Sequence, residues 1–122
     1  MRRLKDVLLI GLMAAGVALP LWAQGKGDAK AGKELYVKNC QQCHGEQGKG
    51  DGPTMKMVKT VKPTDWTNRE QMAKYSDQDL YKITAEGGAA VGKSKLMPAY
   101  KGKLKEKEIW DLVAFIRSLA KK

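Results

Sequence analysis

The sequence is poor in the groups from which most catalytic centres are built. Its 122 residues hold one histidine, His44, and two cysteines, Cys40 and Cys43. No Ser-His-Asp set, carboxylate pair or metal-hydrolase motif is present. A disulfide between Cys40 and Cys43 would close so short a loop that it would add little stability, so the pair asks for a chemical explanation. No alternating strand pattern, internal repeat or low-complexity tract interrupts the chain. The glycine-rich run Gly48-Lys49-Gly50-Asp51-Gly52 lacks the Gly-Lys-Ser/Thr ending and the preceding strand of a phosphate loop. Acids are scarce beside bases, 13 against 23, for a net charge of +10.

What is present begins with an export leader. Arg2, Arg3 and Lys5 precede an apolar stretch, Val7 to Leu21, and Ala23 offers a small residue for cleavage before Gln24. Leu21 stands where a second small residue is preferred. The alternative is a retained anchor, since Val7 to Ala23, about 17 residues, lies at the short limit for spanning a bilayer, where about 20 are usual. The expected division is a signal peptide over 1–23 and one domain over 24–122. Export also argues against nucleic acid as a partner, and no basic-aromatic face is evident.

The domain reads as all-α with long loops. Asp28 caps a helix running to about Asn39. Met55 to Val61 is expected to make a short helical turn. Ser76 and Asp79 open a second helix in the manner of a capping box, and Gly87-Gly88 closes it. Ala89 to Lys103 reads as an extended loop. The last helix spans Glu106 to Leu119, with an apolar stripe of Ile109, Leu112, Val113, Ile116 and Leu119, widened by Phe115.

Cys40-Gln41-Gln42-Cys43-His44 carries the chemistry. Cys-x-x-Cys-His is the spacing of c-type haem attachment: two thiols add across two vinyl groups, and the adjacent imidazole lies beneath the iron. The other ring nitrogen usually donates to a carbonyl, and the glycine-rich loop offers that of Pro53. Two other readings use the same residues. A thioredoxin-like pair expects a strand–helix context, and a structural zinc site needs four protein ligands. With one histidine, a haem here cannot be bis-histidine, so methionine is the next candidate for the sixth position. Met97 stands out among Met55, Met57, Met72 and Met97: it sits in a polar loop and lies far along the chain from His44.

At this point residues 28–120 resemble the class I, single-haem c-type cytochromes. The resemblance rests on Gly32-Lys33-Glu34-Leu35-Tyr36 leading into Cys40–Gly45, on Gly50-Asp51-Gly52-Pro53, on Met97-Pro98-Ala99-Tyr100, and on Ile109 to Leu119. It implies a cytochrome c fold of about three main helices around one covalent haem c. It implies Met97 as the second axial ligand opposite His44, and a crossing of first and last helices at Gly32, Tyr36, Leu112 and Phe115. Trp66 is a candidate donor to a haem propionate, as a tryptophan is in some family members, with a plain core or loop aromatic as the alternative; Tyr100, three past Met97, packs either over the haem or simply within its loop. Two departures stand out. Lys105 occupies the cap position of the last helix, which predicts a looser first turn, and the glycine-rich run Gly88 to Ser94 leaves the stiffness of the ligand loop open.

The function these features imply is one-electron transfer between periplasmic or membrane-bound redox proteins, without catalysis, by a monomer. An open-site haem that binds gases or reacts with peroxide, or a subunit of a larger oxidoreductase, are the alternatives. Lys93, Lys95, Lys101 and Lys103 flank Met97 and would suit an acidic-faced partner. Ordinary solubility is the competing explanation, since Lys56, Lys59, Lys62, Lys105 and Lys107 lie elsewhere.

Overall fold

A computed structural model describes residues 26–120, together with Gly16. The expected leader and its boundary with the domain fall outside the described residues, apart from Gly16. Among the described residues no strand occurs, and no helix is long and apolar enough to cross a membrane.

Five α-helices follow in order: α1 (Ala29–Asn39), α2 (Gln41–His44), α3 (Arg69–Met72), α4 (Asp77–Glu86) and α5 (Glu106–Leu119). Two 3-10 turns, Pro53–Lys56 and Ala89–Val91, interrupt the loops. Three helices are long, as expected: α1, α4 and α5, of 11, 10 and 14 residues. The first helical turn after the Cys-x-x-Cys-His motif starts at Pro53, two residues before the expected Met55, because proline's fixed φ suits an N-terminal position.

Each long helix starts where its local chemistry dictates. The Asp28 carboxylate accepts from the Lys30 and Ala31 amides, satisfying donors that a helix start leaves orphaned. Ser76 and Asp79 form a full reciprocal capping box on α4. The expected loose start of α5 is corrected. A lysine side chain has no acceptor to offer, but the Glu108 carboxylate reaches back to accept from the Lys105 N–H at 2.9 Å, which closes half of a box.

α1 and α5 cross at Gly32. A methyl group on Gly32 would lie 1.9 Å from the Asp111 carbonyl oxygen and 3.0 Å from Cβ of Phe115, so only glycine lets the two backbones meet. The crossing is tied at its edge as well. The Asp28 N–H donates to the buried Asp111 carboxylate at 2.8 Å, and Lys107 caps that carboxylate at 3.1 Å. Asp111 is thus a charged residue on the apolar stripe whose burial is matched by two donors. Around the crossing lie Tyr36, Ile109 and Leu112, all fully buried. Burial of each such side chain contributes on the order of 1.5–3 kcal/mol.

Arg117, near the C-terminal end of α5, fastens that helix to α3 and α4. Its Nε donates to Asp77 at 2.6 Å, Nη1 to the Met72 carbonyl at 2.8 Å, and Nη2 to the Tyr75 carbonyl. Its planar fork of donors is what permits three partners at once.

Candidate functional site

The Cys-x-x-Cys-His motif sits on two successive helical turns. The Cys40 amide ends α1 on the Tyr36 carbonyl at 2.8 Å, and the His44 amide continues α2 on the Cys40 carbonyl at 2.9 Å. The glycine-rich segment then folds back on the motif. Gly50 donates to the His44 carbonyl at 2.8 Å and Gly52 to the Cys43 carbonyl at 3.1 Å. Its function is that of a backbone clasp. The Tyr36 hydroxyl donates to the Gly45 carbonyl at 2.5 Å, and burial pushes its acidity far below that of ordinary tyrosine. Tyr36 therefore joins α1, the end of the motif and, through a 5.0 Å ring contact with Phe115, α5.

A cavity of about 460 Å³ opens beside the motif, within the range usual for small-molecule and cofactor sites. Cys40, Cys43, His44, Trp66, Met97 and Tyr100 all line it. Residues some 50 positions apart thus face one space. Much of the remaining wall is apolar: Met55, Val61, Leu80, Ile83, Leu96, Pro98 and Ile116. Pro53 does not line the cavity and is exposed. The expected hydrogen bond from the His44 ring to its carbonyl is absent: Nδ1 of His44 is buried without a partner. The reason is local. The loop returns to the motif through the Gly50 and Gly52 amides, and Pro53 already turns outward into a 3-10 helix.

The His44 imidazole is held by stacking. Trp66 lies against it with ring centroids 4.0 Å apart and planes 13° from parallel, which places Trp66 on the His44 side of the cavity. Burial lowers the His44 pKa from 6.5 to about 4, because a desolvated ring resists protonation. At neutral pH the imidazole is uncharged and keeps a lone pair for a metal. Cys40 is 6% exposed, and burial first, with Cys43 second, pushes its thiol up to about 12. The two thiols form no disulfide.

The Met97 loop is pinned at Gly88. The Gly88 N–H donates to the Met97 carbonyl at 3.0 Å, and the Gly88 carbonyl accepts from Lys93 at 2.7 Å. A methyl group on Gly88 would meet the Ser94 carbonyl oxygen at 1.9 Å and Cβ of Met97 at 3.1 Å. Glycine in this run therefore permits a tight backbone fold and does not leave the loop slack. Beyond it, Tyr100 and Lys101 donate to the Thr84 and Ala85 carbonyls, both at 3.0 Å. The Tyr100 hydroxyl donates to the Asn39 carbonyl at 2.8 Å. Tyr100 thereby ties the loop to α4 and to the end of α1 while lining the cavity.

The two competing readings of the cysteine pair lose their structural context. No strand precedes the motif among the described residues, as a thioredoxin-like site requires. Nor does any group of three or more His, Cys, Asp or Glu stand where it could hold a metal ion among those residues, which removes the zinc site. A haem fits what is there: two thiols, a neutral imidazole with a buried nitrogen left unsatisfied, and an adjoining largely apolar cavity. Sequence reasoning missed two cavity-lining side chains, Thr64 and Tyr75, and took Lys93 only as one of the lysines flanking Met97. No local motif marks them.

Comparison with known proteins agrees with this geometry. The family model for cytochrome c matches residues 29–120. Cytochrome c-554(547) of Halothiobacillus neapolitanus is 30% identical over 93 residues, covering 76% of this chain and 98% of that protein. The Cbb3-type cytochrome c oxidase subunit FixP of Bradyrhizobium diazoefficiens is 27% identical over 92 residues, and the match spans only 28% of its length. The solved structure of KustC0563 c-type cytochrome superposes with a TM-score of 0.58 at 27% identity, over 74% of this chain and 98% of that one. The chain belongs to the cytochrome c family and carries a covalently bound haem c.

Proposed function

We propose that this chain is a one-electron carrier whose haem is attached at Cys40 and Cys43 and ligated by His44 and Met97. The haem supplies an iron that alternates between Fe(III) and Fe(II). The chain's residues do the rest. The clasp of Gly50 and Gly52 and the Trp66 ring hold the imidazole in one orientation, which limits rearrangement when the charge changes. The Gly88 hinge holds Met97 at the cavity. The apolar walls exclude water. A haem held by His44 and Met97 would leave no site for a substrate, and the chain would transfer electrons without catalysing a reaction of its own. Its partners are redox proteins of the periplasm or of the membrane facing it.

The observation that carries this reading is the convergence of the attachment motif and Met97 on one cavity, from opposite ends of a stretch of more than 50 residues. The test is visible spectroscopy of the protein produced with haem-attachment machinery. The oxidised protein is expected to be low-spin and to show the weak far-red band of a methionine–Fe(III) bond. In Met97→Ala the haem stays attached, but that band and the low-spin sixth ligand are lost. An unaltered band in Met97→Ala would reject Met97 as ligand. A high-spin parent protein would instead favour an open-site haem that binds small ligands.

A further inference from the structure

A haem is amphiphilic, and the cavity must match both of its ends. The thiols serve the vinyl edge, and two carboxylates remain to be matched elsewhere. Most polar side chains around the cavity are already committed to the protein. Asn39 donates to the Leu35 carbonyl, Thr84 to that of Leu80 and Tyr100 to that of Asn39, while Ser94 accepts from the Leu96 amide. The lining donors that remain are the Trp66 indole N–H, the Ser94 O–H, Lys62 and a bonded group of Tyr75 with Lys93 and Thr64. The Lys93 ammonium donates to the Tyr75 hydroxyl at 2.8 Å and lies over its ring at 4.9 Å from the centroid. A phenol oxygen that accepts from an ammonium keeps its own proton to donate elsewhere, and is made a stronger donor by the charge beside it. The same contact lowers the Tyr75 pKa. Lys62 and Lys93 are the only charged side chains on the lining, and no Asp or Glu occurs there. The lining is therefore cationic, with no acid to neutralise it, and the Tyr75–Lys93 pair concentrates charge and donors at one place on it.

We propose that Tyr75, polarised by Lys93 and flanked by Thr64, is the anchor for a haem carboxylate. This rests on the haem-carrier reading above. Tyr75 and Lys93 are positioning residues: Tyr75 donates its O–H to the carboxylate oxygen while Lys93 donates to Tyr75, so no proton changes owner. Lys93 belongs to the loop that ends at Met97, and Tyr75 to the junction of α3 and α4. The carboxylate would thus be bound where these two segments meet.

The test is the midpoint potential of the haem protein in four variants: Tyr75→Phe, Lys93→Gln, Lys93→Arg and Lys95→Gln. Compensating a carboxylate's charge favours Fe(II), so losing the compensation should favour Fe(III). Tyr75→Phe removes one hydroxyl and no charge, and should lower the potential by the equivalent of a severalfold change in the Fe(II)/Fe(III) ratio. Lys93→Gln should lower it by close to tenfold, which is about 59 mV for one electron. Lys95→Gln removes the same charge from the same loop, but Lys95 does not line the cavity, and its shift should be much smaller. Lys93→Arg should restore the parent value. An unchanged potential in Tyr75→Phe, or equal shifts in Lys93→Gln and Lys95→Gln, would overturn the proposal. The spectrum of each variant separates this from the parent reading. Low-spin, methionine-ligated haem with unmoved potentials rejects the anchor alone, whereas a parent protein that takes up no haem rejects the site itself.

Discussion

At the scale of the residue, the site turns on His44. It is the only histidine, and its position against Trp66 keeps it dry and neutral. The depressed pKa has a consequence for stability. Between about pH 6.5 and about 4, an unfolded chain takes up a proton at this ring and the folded chain does not. The unfolded state binds more protons in that window, so stability falls as the pH is lowered through it. The loss reaches roughly 3 kcal/mol for a shift of this size. Iron held by the ring competes with the proton and extends the loss to lower pH. Acid titration of the haem protein, followed by its low-spin spectrum and by thermal unfolding, should therefore show full stability above pH 6.5 and erosion below it, with ligation surviving well under the ordinary histidine value. Loss of ligation near pH 6.5 would show that neither burial nor iron holds the proton off this ring. Trp66 carries a related lesson. Its indole was a candidate for a haem carboxylate by analogy with relatives; the ring lies on the imidazole, and its N–H, with no acceptor among the described residues, lines the cavity together with Lys62, Thr64 and the Tyr75–Lys93 pair.

At the scale of the element, the long helices were legible and the joints were not. The ends of α1, α4 and α5 follow from Asp28, from Ser76 with Asp79, and from a 3.6-residue apolar repeat, all of which act within a turn or two of sequence. The motif itself is five contiguous residues. By contrast, α3 is a single turn started by the Asn68 side chain, too short to leave a periodic signal. The half box at Lys105 was hidden because the acceptor is Glu108, three residues on. Tyr75 and Lys93 are 18 residues apart and meet only because α4 returns the chain. Asp111 reads as a solvated acid beside an apolar stripe until α1 arrives to supply its donor. The helix crossing gives the sharpest test at this scale. In Gly32→Ala the new methyl group would have to displace the α5 backbone at Asp111. Overpacking of this kind costs about 1–3 kcal/mol or more, and for a domain of this size each kcal/mol is worth roughly 4–8 °C in Tm. A fall of about 10 °C or more is expected, with the haem still attached. A change of a degree or two would mean that the helices can part without cost.

At the scale of the whole molecule, the charge is unevenly matched to the cavity. The lining bears two lysines and no acid, and Lys95, Lys101 and Lys103 stand exposed on the loop around Met97. Lys103 lies 5.7 Å from the centroid of the Tyr100 ring, which keeps one of these charges at the cavity side. A positive field over the face through which electrons pass would speed encounter with an anionic partner and weaken with salt. Net charge alone gives the same sign of effect, since the chain is at +10, so salt dependence by itself does not locate the field. Two reversals of equal charge do. Lys95→Glu places the change beside Met97. Lys33→Glu places it on the exposed side of α1, away from the cavity lining. Reduction by an anionic iron complex at low ionic strength should slow roughly several-fold in the first and much less in the second, while reduction by a neutral quinol should change in neither. If the two reversals slow the anionic reductant equally, the lysines act through net charge and serve solubility. If only Lys95→Glu does so, and the difference closes as salt is raised toward a Debye length of about 8 Å, the Met97 face is where a negatively charged redox partner docks.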